Sequence, residues 1–572
     1  MTNYRVGVQQ VVFILLLLGV TLVSSNHLID QNLHLRFFII SLLSFGFLFF
    51  VKDKKLGATE VLLLLFYGYN LLSLFWAKSF ALSIFEVQRT FLYFLTFYLA
   101  TELIRQQGLH FVAKSISILS VLLIAINGIG SSSAIGTSYT TTSAHPNLLA
   151  SLLLFTLPFT ALVWEKGNRK WKQYSIAIFT IVVLSILVIG TRSAILGLMV
   201  MLVVFGFLKL GWSKQIKIVT ISSLSILVLF SAYYLVTSDQ EFINPVSLQE
   251  RLFIWKKTLL LIRENPILGL GAGNWILYYP KFGLSGFDTF EIYGLSIQRP
   301  HNDFLWLLSE LGAIGALILG LLVFLGLKGL YTMTSSTKRN ILMAGSFGFI
   351  PVMMLSFPKE RIEHIFLLFT FLAVLVNSHE SKSTFFGKNL TISTSLTIPI
   401  AMILLFTMAM VFYNAKGEYY SKLALEAMKK ENPEKTLEYS DLAKSVFYSH
   451  TPSGIPVDSY SAWAYHQLHD ERSRFEFSQK AYIQAPYNYE IISNYGMVLM
   501  ANKKIKLAEE LLIEANRINP RYDGAIFNLA ILYYNDGQFE KAREWIDKVH
   551  YISEISHSYR DLIIEELEAK GK

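Results

Sequence analysis

The chain has no cysteine. That excludes a disulfide, a thiolate nucleophile, a zinc–thiolate centre and an iron–sulfur cluster. It fits an active face turned away from a reducing cytoplasm. Charge is also scarce. Only 16% of the 572 residues are Asp, Glu, Lys or Arg, against about 25% in soluble globular chains. The sequence also lacks a nucleoside-triphosphate motif, a zinc-ligand pattern and a nucleophilic serine arrangement. Its formal charge of +9 comes without a basic, aromatic-interleaved patch, so nucleic acid is not an expected partner.

What is abundant is apolar. Hydrophobic residues make up 53% of the chain, and the mean hydropathy is +0.45. A membrane span takes about 20 such residues. Thirteen candidates stand at about 6–25, 36–51, 58–77, 85–104, 112–129, 147–164, 174–190, 193–210, 216–236, 303–327, 340–357, 361–377 and 391–413. The first has no small-x-small cleavage site before Asn26 and reads as an uncleaved anchor. With the N-terminus in the cytoplasm, the inside connections hold eighteen Lys and Arg residues and the short outside ones hold five. Positive residues collect inside. The connections around Thr137–Asn147, Arg192, 237–302 and Lys359–Glu363 therefore face outward. Thirteen spans put the C-terminus outside as well; twelve would put it inside.

From about residue 415 the composition turns polar, and a period of 34 sets in. Pro452, Pro486 and Pro520 keep it, as do Asn494 with Asn528, Ala508 with Ala542, and Gly496 with Ala530. Each unit reads as two helices and a proline, which closely resembles the tetratricopeptide repeat in the last two units. The unit before Pro486 is more degenerate, with Arg474 at the place of Ala508. The expected fold is all-α: a polytopic bundle of about twelve or thirteen transmembrane helices over 1–414, then a tetratricopeptide-type helical-repeat domain over 415–572. Such stacks bind partners and do no chemistry themselves.

The unusual side chains gather on the outward connections. His301 and Asn302 stand at the mouth of a span. Glu310 lies in the same span, roughly 13 Å deeper at ~1.5 Å per residue. Gly312 and Gly315 follow at a spacing that predicts close approach of another helix. His145 precedes Pro146-Asn147 at an earlier span. Arg192 sits between two apolar runs, where an arginine usually has a partner. In the long connection, Ser247 to Glu250 reads as a capping box that starts a helix. Leu252, Trp255, Leu259 and Ile262 give it an apolar stripe suited to a membrane surface. Arg251, in its first turn, opposes the helix dipole and suggests a compensating anion. Asn265-Pro266 ends the helix. Gly269, Gly271 and Gly273 then read as a turn rather than a phosphate loop. Five of the eight residues Phe357–His364 are ionisable, which predicts surface ion pairs or a supporting role beside His301.

Two arginines without a metal pattern suit a diphosphate, and a histidine suits activation of a hydroxyl. The set resembles the O-antigen ligase and O-antigen polymerase family of bacterial envelope glycosyltransferases. The likeness rests on His301-Asn302 with Gly312 and Gly315, on Arg192 with Leu196, and on His145-Pro146-Asn147. It also includes the run from Arg251 and Trp255 through Glu264-Asn265-Pro266 to Gly273-Asn274. It covers roughly residues 60–377. The resemblance implies a multi-pass protein of the bacterial inner membrane that needs no cofactor or metal. The donor would be a glycan on undecaprenyl diphosphate and the acceptor a lipid A–core sugar. A second lipid-linked glycan or a protein hydroxyl are the alternative acceptors. It implies that Arg192 and Arg251 grip the diphosphate and His301 activates the acceptor. Asn302, His145 and Glu310 would help bind substrate. The repeats would take a protein partner. A transporter or a scaffold is the non-enzyme alternative, but no internal symmetry supports a transporter.

Overall fold

A backbone surrounded by lipid must satisfy its own N–H and C=O groups, so apolar runs of this length fold as helices. The computed structural model describes residues 2–49, 55–132, 146–209, 245–284, 297–331, 333, 335–377, 390–391, 397–549 and 554–570. Eight helices come first: α1 (Thr2–Leu22), α2 (Leu33–Leu48), α3 (Ala58–Ser73), α4 (Phe80–Gln107), α5 (Leu109–Ser132), α6 (Pro146–Lys166), α7 (Arg169–Ile189) and α8 (Arg192–Lys209). The long connection holds α9 (Pro245–Glu264) and the short α10 (Trp275–Tyr278). Then come α11 (Asp303–Tyr331), α12 (Ser336–Leu355), α13 (Ile362–Asn377) and α14 (Thr397–Lys429). Twelve of the thirteen expected spans coincide with helices. The other, 216–236, lies outside the described residues. Six helices are long and apolar enough to cross a membrane alone, and four shorter ones are apolar. The chain is a multi-pass helical membrane protein. Among the described residues, the only strands form one short antiparallel pair, Lys55–Leu56 with Leu390–Thr391.

The bundle is built around α4, which is buried from Ala81 to Leu103 almost without interruption. It packs against α13, α3 and α5. Phe91, Phe94 and Phe97 of α4 are fully buried, as are Phe155 and Phe159 of α6. α7 is peripheral, its buried residues being Ser175, Val182 and Ile186.

The tail continues from the membrane without a linker. α14 runs unbroken across the expected boundary at 414/415. At ~1.5 Å per residue its 33 residues reach about 50 Å, well beyond a hydrocarbon core of about 30 Å. Its protruding part packs on α15 (Pro433–Ala443). Helix pairs follow: α16 (Asp458–Gln467) with α17 (Glu471–Gln484), α18 (Tyr489–Ala501) with α19 (Ile505–Ile518), and α20 (Asp523–Asn535) with α21 (Phe539–Ile546). α22 (Glu554–Lys570) closes the chain of described helices. The expected period is present, since α18 and α20 start 34 residues apart. Ala508 and Ala542 are fully buried where the two helices of a unit meet. Arg474, at the matching place, is buried and pairs with Glu471.

The tail folds back on the face that carries α9. Lys422 donates to the Asn26 carbonyl at 2.8 Å, and Glu418 meets His34 and the Asp30 N–H. Leu284 N–H donates to the Ile518 carbonyl at 2.6 Å, and Arg517 donates to that of Lys281 at 2.8 Å. The long connection is therefore held between the bundle and the repeats.

Candidate functional site

Arg192 owes its place to a tight corner. Gly190 takes the left-handed conformation at the end of α7 (φ 74), and α8 begins at Arg192 two residues later. The guanidinium is exposed. Arg251 approaches from α9, which starts at Pro245, two residues before the expected cap. Proline favours a first helical turn because its missing N–H has no intrahelical acceptor there. Burial pushes the Arg251 guanidinium below its ordinary value. The neighbouring Arg192 charge pushes it further, with Glu250 opposing. Two cations on different elements are thus near enough for Arg251 to feel the Arg192 charge. An anion between them would remove that repulsion and occupy both forks.

The face that α9 turns to the protein is Ile254, Thr258 and Leu261. The stripe expected from the sequence is offset from it, and Leu252 and Leu259 point outward. One turn beyond Arg251, Trp255 donates its indole N–H to the Pro300 carbonyl at 2.9 Å. This ties the arginine's helix to the peptide before His301. His301 sits at φ 52, in the left-handed region. Its ring meets the edge of Phe357 at 5.2 Å, and the Arg299 guanidinium lies over the same Phe357 ring. A non-glycine residue there is strained, and such strain clusters at functional positions. Asn302 is buried, and its Oδ1 accepts the N–H groups of Phe304 and Leu305 at 3.1 and 3.0 Å. It caps α11 and fixes the turn that presents His301. His145 lies outside the described residues.

α11 is not continuous. At Gly312 the backbone takes φ 60 and ψ −163, far from helical values. The strand of chain after α9 fills the break. Leu270 N–H donates to the Ser309 carbonyl and Gly271 N–H to that of Glu310, both at 2.9 Å; Ala313 N–H donates to that of Pro266 at 2.8 Å. Tyr69 donates its hydroxyl to the Leu311 carbonyl at 2.9 Å. Irregular backbone at membrane depth is stable only where protein satisfies it. A Cβ on Gly312 would strike the Ile267 carbonyl, and one on Gly269 would strike the Glu310 backbone. The glycine run is therefore a strap seated in a broken helix. Two of its amides are engaged by helix carbonyls, not by a phosphate. The expected approach of a helix at Gly312 and Gly315 is replaced by this strap. Asn274 anchors its end, accepting the Ser79 N–H at 2.9 Å and donating to Ser83 Oγ at 2.7 Å.

Glu310 is buried beside the strap. Its Oε1 accepts the Trp275 N–H at 3.3 Å, and its Oε2 lies 3.5 Å from Lys359 Nζ. Lys359 also reaches Glu86 at 3.3 Å and stands 3.7 Å over the Trp306 ring. Burial brings the Lys359 ammonium down to about 8, with Glu310 opposing and Arg89 adding to the fall. The 357–364 turn is thus interior, not a set of surface pairs. Arg89 pairs with Glu86, Arg299 with Glu360, Arg361 with Asp30 at 2.9 Å, and Arg36 with Glu363 at 2.9 Å. Glu86 and Arg89 are not among the residues expected at the site. Two charges one turn apart inside an apolar run were the available signal.

The arrangement defines a class: a multi-pass helical membrane protein in which Arg192 at the α7–α8 corner and Arg251 and His301 of the long connection lie on the face covered by a helical-repeat tail. The comparisons agree. The family model described as O-antigen ligase matches residues 148–320, and one described as tetratricopeptide repeat matches residues 499–550. The membrane part is similar to the O-antigen ligases and the tail to tetratricopeptide repeats, which bears out the resemblance read from the residues. No curated protein matches the chain significantly. Among solved structures, that titled "Crystal structure of YrrB: a TPR protein with an unusual peptide-binding site" is 15% identical. It covers 31% of this chain and 86% of that one, with a TM-score of 0.22.

Proposed function

We propose that this protein transfers a glycan from undecaprenyl diphosphate to a hydroxyl on lipid A–core, at the outer face of the bacterial inner membrane. The carrying observation is that α9, which bears Arg251 within reach of the Arg192 charge, is bonded through Trp255 to the peptide before His301. Arg192 and Arg251 bind the diphosphate, and His301 takes the proton of the acceptor hydroxyl. The hydroxyl oxygen attacks the anomeric carbon as the bond to the phosphate oxygen breaks. The diphosphate leaves on the lipid carrier, and direct displacement inverts the anomeric centre. Stabilising the charge on the departing diphosphate is the site's main contribution to the rate. Asn302 caps the helix that presents His301, Glu310 holds Lys359 in place, and His145 is a further substrate-binding candidate. The excess of Lys and Arg on the face opposite this site supports the outward orientation.

The repeats on the same face favour a second reading, in which the acceptor hydroxyl belongs to a protein. The glycan profile of cells carrying His301→Ala tests both. Long polymer on the lipid carrier with a bare lipid A–core supports the ligase, and a bare protein acceptor supports the second reading. Single repeat units in both pools indicate a polymerase. An unchanged profile would overturn the role of His301 and bring the transporter forward.

A further inference from the structure

The base of the tail meets the bundle through a turn of uncommon composition. α15 ends at Ala443. Ser445 N–H then donates to the Tyr448 carbonyl at 3.0 Å, and Tyr448 N–H to that of Ser445 at 3.1 Å. This closes a two-residue turn with Val446 and Phe447 at its tip. Turns in water favour Gly, Pro, Asn, Asp and Ser; here both tip residues are apolar. The Phe447 ring meets those of Phe406 and Tyr413 on α14 at 5.6 and 6.0 Å, and it packs against the core of the bundle. It also lines a cavity of about 140 Å³ between bundle and tail, whose wall draws on residues from Asp30 to His450. Val446 is left 71% exposed.

Two observations put this tip below the membrane boundary. The first is the composition of α14, whose first charged residue after Thr397 is Lys416. At ~1.5 Å per residue the apolar stretch before it is about 28 Å long, close to a hydrocarbon core of about 30 Å. Tyr413, Tyr419 and Tyr420 flank Lys416, as aromatic side chains do at a bilayer surface. The second is the neighbouring connection. Lys422, less than two turns beyond Lys416, donates to the Asn26 carbonyl between α1 and α2, so other spans end at this level too. A ring set between Phe406 and Tyr413 is centred about 10 Å on the span side of Lys416. Leu405, Phe406, Phe412 and Tyr413 are all exposed, which makes this side of α14 the one that faces lipid.

We propose that the turn 445–448 dips into the bilayer and that Val446 at its tip contacts lipid acyl chains. The tip continues the lipid-facing surface of α14. The turn closes the backbone groups of Ser445 and Tyr448 on each other, which lowers the cost of immersing them. The repeats are thereby held at a fixed height over the membrane. The inference rests on the multi-pass architecture and not on the transferase reading. Because the chain has no cysteine, Val446→Cys in the full-length protein takes a single nitroxide label. In nanodiscs of phosphatidylethanolamine and phosphatidylglycerol, electron paramagnetic resonance would compare collisions with oxygen, which concentrates in hydrocarbon, and with a water-soluble nickel chelate. Leu405→Cys on the span, 52% exposed, is the lipid reference, and Leu507→Cys on α19, 44% exposed, is the water reference. The oxygen-to-nickel ratio at 446 should exceed that at 507 severalfold and approach that at 405. Without the label, the 446 thiol should react with a charged maleimide about tenfold more slowly than the 507 thiol, since apolar surroundings keep a thiol from ionising. A ratio or a reaction rate equal to that at 507 would put the tip in water and overturn the proposal. Shielding from both oxygen and nickel would overturn it as well, by showing that protein, such as a second copy of the chain, covers the tip.

Discussion

The two polar regions under the tail handle charge in opposite ways. At the first, Arg192 and Arg251 bring like charges together at the edge of the bundle. At the second, buried acids and bases pair off around Glu86, Glu310 and Lys359. A cation pair lowers stability until an anion arrives, which is the reason we propose it for binding. A closed set of ion pairs contributes order, and losing one member leaves a buried charge without its partner. On the proposed reading, the difference separates residues that act on substrate from residues that hold the architecture, within one network of helices.

Substitutions should keep the two regions distinct. Arg192→Ala, Arg251→Ala and His301→Ala should each lower glycan transfer by about 10²- to 10⁴-fold, the range for a lost charge donor or general base. Their melting temperatures should stay level, and those of the arginine variants should stay level or rise as repulsion is relieved. An in vitro transfer assay with a melting curve reads both, and near-normal transfer would collapse the distinction. Glu360→Gln should do the opposite by leaving Arg299 buried without its counterion. Broken buried pairs cost about 3–5 kcal/mol, so a clear fall in melting temperature is expected.

A third comparison uses pH. Burial holds His450 down to about 4, with the Gln484 backbone and Asp458 opposing. In the unfolded chain a histidine titrates near 6.5. Below that value the unfolded state binds the proton more readily, so folding stability is full above about pH 6.5 and falls as the pH drops toward 4. The loss is roughly 3 kcal/mol for this one group. Melting curves of the wild type and His450→Gln between pH 7 and 4 should show the variant with the flatter dependence. The smallest expected effect is at the strap. Tyr69→Phe removes one hydrogen bond to the Leu311 carbonyl and should cost about 1 kcal/mol. A drop far beyond that would mean the broken helix needs Tyr69 to hold the strap.

Much of this molecule was legible in the chain. The spans are visible because hydrophobic length is a local property, and the 34-residue period because each repeat is one local unit. The arginines and His301 stood out because charge at a membrane boundary is rare. The strap was not visible. Gly269 and Gly271 look like any turn until Glu310 and Leu311 are seen to lack their helical partners. Nor was the capping role of Asn302, which depends on where α11 begins. The face that α9 turns to the protein, Ile254, Thr258 and Leu261, was not visible either, because its apolar residues occupy more than one side and sequence periodicity does not choose between them.

Composition and periodicity alone determined that this protein is a membrane helix bundle with a repeat tail. Both signals arise from short-range chemistry, the transfer of apolar side chains out of water and the pitch of a helix. Tertiary structure decided the rest. It put the tail on the face of the long connection, broke α11 at Gly312, and gathered residues from 30 to 450 around one cavity. Those outcomes depend on which buried polar groups can satisfy one another across hundreds of residues. No local pattern encodes that pairing.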